Sequence, residues 1–166
     1  MEIERKFRVV GTPWQSLAPG SRYRQGYLAE ARGVVVRVRV SENQAWLTVK
    51  GPTRGISREE FEYAIPVAEG EALLELCGSR EVAKTRYRWP VPGGLCFEID
   101  VFEGNNAGLV VAEIELEKAD QEFVRPDWLG EEVSHDPRYR NSELSLCPYS
   151  DWSSESAGSE DSSSSA

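Results

Sequence analysis

Apolar or β-favouring residues alternate with charged or polar ones along most of the chain up to about residue 117, the period of two expected of strands with one buried face. The runs predict strands at about 2–10, 22–29, 34–41, 45–50, 57–66, 80–89, 95–103 and 109–117. Turn-forming residues separate them: Thr12-Pro13, Pro19-Gly20, Ala31-Arg32-Gly33, Ser41-Glu42-Asn43, Gly51-Pro52, Pro92-Gly93-Gly94 and Gly104-Asn105-Asn106. Helical signals are sparse. Val67 to Leu76 predicts a short helix ending near Gly78, Asp120 to Phe123 a turn, and Pro137 to Leu146 a last helix or irregular segment. The fold class is therefore mainly β, with some α: about eight strands and a few helices.

The polar parity of these strands is charged to an unusual degree. Glu2, Glu4 and Lys6 occupy alternate positions of the first strand, and the same parity holds Arg37 with Arg39, Lys50, Arg58 with Glu60 and Glu62, Lys84 with Arg86, Glu98 with Asp100, and Glu113 with Glu115. For one strand, such as Val36-Arg37-Val38-Arg39-Val40, a solvated face explains the pattern. Two cations in succession on one face repel unless opposite charge lies between them, and here basic and acidic runs recur in turn across six or seven strands. Taken together, the runs favour an enclosed face lined by cations and carboxylates, suited to a polyanion and its metal ion.

Composition narrows the class. At 166 residues, 40% hydrophobic and 28% charged, the chain suffices for one domain with a real core. No apolar stretch approaches a membrane span, and the charged Glu2–Lys6 opening does not suit a secretory signal, so a cytoplasmic protein without a membrane partner is expected. Cys77, Cys96 and Cys147 are too widely spaced for a zinc site and read as reduced, buried thiols. Of the net charge of −9, residues 1–150 carry −5, which argues against a nucleic-acid surface but not against a locally basic cavity. From Ser150 to Ala166 the chain is Ser, Glu, Asp, Gly and Ala with one Trp, and it reads as an acidic, Ser-rich disordered tail whose removal after Tyr149 should cost little. His135, the one histidine, sits in a Ser-His-Asp-Pro turn and reads as structural or surface. There is no G-x-x-x-x-G-K-S/T phosphate loop.

Met1-Glu2-Ile3-Glu4-Arg5-Lys6-Phe7 resembles the N-terminal E-x-E-x-K signature of the CYTH superfamily, the triphosphate tunnel metalloenzymes. Later segments are similar to that family's successive strand motifs, in its order: Arg24–Leu28, Val36–Arg39, Leu47–Lys50, Ser57–Glu62, Lys84–Tyr87, Phe97–Phe102 and Ala112–Leu116. Gly130–Val133 and Arg138–Asn141 resemble the closing segment of the small bacterial inorganic triphosphatases. The resemblance spans residues 1–149 as one domain and implies an antiparallel, eight-stranded β-barrel-like tunnel with a few helices outside, closed or cup-like. It also implies that Glu2, Glu4, Glu113 and Glu115 bind Mg²⁺ or Mn²⁺, and that Lys6, Arg37, Arg39, Lys50, Arg58, Lys84 and Arg86 hold the triphosphate. Glu4 and Lys6 would serve catalysis directly, Lys6 as a compact charge and proton donor near the leaving group. Glu60, Glu62, Glu98 and Asp100 are left between binding metal, positioning water and neutralising cations.

The chemistry needs such a mixture, because cations alone would bind a triphosphate without orienting a hydrolytic water. Hydrolysis of inorganic tripolyphosphate is the expected activity. Class IV adenylate cyclase, thiamine triphosphatase and a non-catalytic polyphosphate-binding module are the alternatives. Retention of so many carboxylates speaks against mere binding. The oligomeric state stays open, a homodimer included.

Overall fold

Arg32 and Gly33 are both in the left-handed region, at φ 55° and 79°, and form the two-residue loop that turns β2 (Ser21–Ala31) into β3 (Val34–Val40). Such loops match the twist of paired strands. The computed structural model describes residues 1–152. Besides β2 and β3, it contains β1 (Glu2–Val9), β4 (Ala45–Lys50), β5 (Ser57–Arg58), β6 (Glu60–Ile65), β7 (Glu81–Val91), β8 (Leu95–Phe102), β9 (Val110–Glu115) and β10 (Leu129–Glu132). All pairings are antiparallel, in the order β10-β1-β9-β8-β7-β2-β3-β4-β6.

Closure comes from β5. It pairs with β1 at Glu2 and Ile3, then continues through Glu59 into β6, which pairs with β4. The expected single strand at 57–66 is thus two strands, divided where the chain passes from one neighbour to the other. The short β10 is the other addition, and it pairs irregularly with β1 at Phe7 and Val9. A Cβ on Gly130 would lie 2.9 Å from the Arg8 carbonyl oxygen, so only glycine permits this approach.

The apolar parity faces outward and is covered in two places. Phe7, Phe97, Ile99, Ala112 and Ile114 pack with Trp128, Phe123 and Trp89 on the β1–β9–β8 side. Helix α1 (Val67–Cys77), ended by Gly78 as expected, lays Leu74 and Cys77 against Val38, Val40 and Ala45. Two glycines let it sit close: a Cβ on Gly26 would meet Cys77 Sγ at 2.5 Å, and one on Gly70 would meet Ala45 Cβ at 2.6 Å. Each such buried side chain contributes roughly 1.5–3 kcal/mol.

The inner parity is charged through most of its length but apolar at one end. There Val82, Phe102 and Val111 meet Tyr139, Leu144 and Trp152, brought by a 3-10 turn at Pro137–Tyr139, by α2 (Asn141–Leu144) and by a helical turn over 149–152. The C-terminal segment fills this end, so the barrel is a cup there. The expected tail is corrected accordingly. Trp152 is 4% exposed, its ring lies 5.0 Å from Tyr139 and 5.3 Å from Tyr149, and its Nε1 donates to the Cys147 carbonyl. Composition averaged over 150–166 hid one anchoring ring; residues 153–166 lie outside the described part. Ending the chain after Tyr149, or Trp152→Ala, is expected to cost about 3–5 kcal/mol. A urea midpoint unchanged in both would refute that. Cys77, Cys96 and Cys147 are free thiols; Cys77 is buried as expected, whereas Cys96 is half-buried and Cys147 exposed.

Candidate active site

Register across the barrel decides which charges meet. On one wall Glu4 stands opposite Glu115, Lys6 opposite Glu113, Glu113 opposite Glu98, and Arg86 opposite Asp100. On the other, Arg39 stands opposite Gln25, Arg37 opposite Tyr27 and Thr48, and Lys50 opposite Glu60. Between the walls lies a cavity of about 160 Å³. Every residue nominated from the sequence lines it except Glu62 and Asp100.

Those two have clear roles elsewhere. Asp100 is fully buried beside the cavity, taking Lys84 Nζ at 2.7 Å and both Arg86 Nε and Nη2 at 2.7 and 2.9 Å. Glu62 accepts from the Thr48 hydroxyl at 3.1 Å and lies 3.6 Å from Arg37. Both act as counter-ions that hold cations in place. Glu98 pairs with Arg86 at 3.1 Å and Glu60 with Arg37 at 3.9 Å, while Lys50 reaches Glu2 at 3.4 Å. Arg58 donates to the Gly51 carbonyl at 2.9 Å.

The carboxyls crowd one another. Burial, then a hydrogen bond with Glu60, pushes Glu2 up to about 7, while Glu60 is held below its usual range despite burial by that bond and by Lys50 and Arg37. Burial, then repulsion from Glu113 and Glu2, pushes Glu4 up to about 8. Glu113 stays well below the ordinary range although buried, because Lys6, Lys84 and Arg86 surround it. Near neutrality Glu2 and Glu4 therefore share protons with their partners. Burial, then the neighbouring Glu2 and Glu98, raises Glu115 as well. Eight cationic and seven acidic side chains line the cavity, so with all of them ionised it carries a net charge of +1, and protonation of Glu4 adds to that excess.

The cations respond in the opposite sense. Burial lowers Lys84 to about 7 against the pull of Asp100, with Arg86 and Arg39 adding to the fall. Burial, with Arg37 and Arg86 nearby, lowers Arg39 to about 10. Lys6 is raised, because Glu113 and Glu4 outweigh its burial. Arg37 is 5% exposed and its Nε has no hydrogen-bond partner among the described residues, a donor that an anionic oxygen would satisfy.

Sequence reasoning did not single out several lining groups. Lys6 Nζ donates to the Tyr139 carbonyl and Lys84 Nζ to Asn141 Oδ1, both at 3.0 Å, and Arg140 and Ser142 face the same space. The resemblance of Arg138–Asn141 to a family segment was the one available signal. Thr48, fully buried between Arg37 and Glu62, was legible from its parity with Lys50.

No three carboxylate, histidine or cysteine side chains among the described residues converge as a ready-made metal cage. The donors still suit a hard divalent cation. Mg²⁺ and Mn²⁺ take carboxylate oxygen, and Mg²⁺ commonly uses only one or two carboxylates, with water and substrate phosphate completing its shell. The paired carboxyls Glu2–Glu60 and Glu4–Glu113, held together by protons, are places where a cation can replace a proton.

Comparison with known proteins agrees with this geometry. The chain is 50% identical over 149 residues to an inorganic triphosphatase of Acetivibrio thermocellus, covering 89% of this chain and 95% of the relative. It is 40% identical over 148 residues to an inorganic triphosphatase of Nitrosomonas europaea, covering 87% and 97%. A crystal structure of an inorganic triphosphatase superposes with a TM-score of 0.65 at 38% identity, over 88% of this chain and 95% of that one. With the CYTH domain pattern matching residues 1–148, and a charged cup in the barrel those residues build, the chain belongs to the CYTH family.

Proposed function

We propose that the protein is an inorganic triphosphatase, hydrolysing tripolyphosphate to diphosphate and phosphate with the help of Mg²⁺ or Mn²⁺. The observation that carries this reading is a small cavity with carboxyls massed on β1 and β9 and cations on β3, β4 and β7. The inorganic triphosphatases similar over nearly the whole chain support it. A triphosphate brings about four or five negative charges near neutral pH. Arg37, Arg39, Lys50, Arg58, Lys84 and Arg86 supply the positive charge that holds its oxygens, with Arg39 offering an open edge for a bidentate grip.

Glu2, Glu4 and Glu115 are the groups that would hold the divalent ion, which would supply positive charge to offset that developing at the reacting phosphorus. Glu113 faces them but is engaged by Lys6 at 3.4 Å and Arg86 at 3.8 Å. Carboxylate oxygen on this wall also orients water for in-line attack. Lys6, kept cationic by Glu113 and Glu4, serves as a fixed charge on the departing oxygen rather than as a proton source. We place the enzyme in the cytoplasm, acting on a free small polyanion without nucleic acid or membrane. The mildly acidic balance of the fold supports this, and among the described residues no helix is long and apolar enough to cross a membrane.

Phosphate release from tripolyphosphate, ATP and thiamine triphosphate, each with Mg²⁺ or Mn²⁺, tests the reading. Tripolyphosphate is expected to be the preferred substrate, with activity abolished by excess chelator and restored by either ion. Preference for ATP with release of diphosphate would indicate cyclisation. Binding without turnover would indicate a polyphosphate module. Full turnover in chelator would remove the metal from the chemistry.

A further inference from the structure

Five cavity cations are already matched by carboxylates: Lys6 by Glu113, Arg37 by Glu60 and Glu62, Lys50 by Glu2, Lys84 by Asp100, and Arg86 by Asp100 and Glu98. Arg39 differs. Among the described residues no carboxylate lies within ion-pairing distance of it. Its Nε donates to Gln25 Oε1 at 3.1 Å, and its guanidinium lies 5.3 Å from the centre of the Tyr23 ring. Gln25 is completely buried, stands directly opposite Arg39 in the β2–β3 register, and spends its amide nitrogen on the Tyr27 hydroxyl at 2.7 Å. Because Arg39 can only donate, the Gln25 carbonyl must be the atom that faces it, and the Tyr27 hydroxyl then accepts from the amide nitrogen.

We infer that Gln25 is a positioning residue for substrate binding: its neutral carbonyl aims Arg39 into the cavity while leaving the arginine charge uncompensated for a phosphoryl group. A carboxylate at this point would aim the side chain equally well but would neutralise it and add a negative charge beside the phosphate. With Nε held, the two Nη nitrogens, which have no protein acceptor among the described residues, form the edge that meets phosphate oxygens bidentately. The Tyr23 face supports the cation without cancelling it. The inference rests on the proposed function and identifies what the arginine's partner must be for that site to work.

Gln25→Glu is the deciding variant because it is isosteric and its two expected effects have opposite signs. The new Glu–Arg39 pair should leave the thermal unfolding midpoint unchanged or higher, while KM for tripolyphosphate rises about 10- to 100-fold, the scale of one charge-assisted hydrogen bond, with a smaller change in kcat. Gln25→Met, of similar length but with no acceptor, should raise KM less, since Arg39 loses its aim but keeps its charge. A residue that merely packs would lower the midpoint and leave KM alone. Wild-type KM in folded Gln25→Glu overturns the inference; should that variant not fold, wild-type KM in Gln25→Met overturns it. If the unmodified protein did not cleave tripolyphosphate, the functional reading would fail separately. The dissociation constant for tripolyphosphate, measured by calorimetry on the same three proteins, would then replace KM with the same expected order.

Discussion

Glu4→Gln is expected to raise the Mg²⁺ or Mn²⁺ concentration for half-maximal tripolyphosphate hydrolysis by roughly tenfold or more, and to lower turnover even at saturating metal. The substitution keeps size and hydrogen-bonding capacity but removes the ligand charge, worth about 1.5–3 kcal/mol per charge-assisted contact. The wild-type dependence on pH supplies an independent readout. Glu4 titrates at about 8 because it is buried against Glu113 and Glu2, so below that pH metal must displace a proton to use it. Mn²⁺ binding to the substrate-free protein should therefore tighten as pH rises from 6 to 8, by about tenfold per unit for each proton displaced, and level off above it. Glu2, at about 7, contributes to the lower part of the same window. In Glu4→Gln one proton leaves the exchange, and the slope should be shallower. A slope identical to wild type would place Glu4 outside the metal site.

Arg39→Ala should instead reduce kcat/KM by about 10- to 100-fold and remain uncorrected by extra metal. Its loss removes one charge-assisted contact, worth about 1.5–3 kcal/mol. Stability should respond differently. Burial first, and then the neighbouring Arg37 and Arg86, lower its pKa to about 10, so deleting it removes a desolvated charge and relieves repulsion, which partly offsets the lost packing. The urea midpoint should shift far less than the activity does. Metal rescue of Glu4→Gln without rescue of Arg39→Ala separates the two halves of the cavity. If both variants folded and kept wild-type activity at limiting metal, these residues would not form the site.

The charged face was legible because parity survives any arrangement of antiparallel strands. Alternate residues share a face, so Glu2, Glu4 and Lys6, or Arg37 and Arg39, had to point the same way whatever they met. Glu60 and Glu62 kept that parity even though Ser57–Ile65 divides into β5 and β6. What each carboxylate does was not legible. Glu62, Glu98 and Asp100 differ in burial and partners only through cross-strand register. Asp100 is opposite Arg86 and fully buried, whereas Glu62 is opposite Thr48 and half open to solvent.

Local sequence also determined the hairpins, through Arg32-Gly33 and the Gly93-Gly94 loop, and the short helix closed by Gly78. Those features depend on backbone preferences a few residues long. Tertiary structure alone decided three others. Leu129–Glu132 is too short to show a period and becomes a strand because β1 offers it an edge that Gly130 can approach. Trp152 sits in a segment whose composition predicts disorder, and it is ordered by a pocket between Tyr139 and Tyr149. Gln25 lies in a family-like strand that could reach the cavity, but its pairing with Arg39 is set only by the β2–β3 register. The sequence by itself determined which side chains share a face, since that follows from local backbone geometry. Which of them touch, and so which charges are matched and which remain for a ligand, is a property of register and closure between segments far apart in the chain, and only the closed barrel decides it.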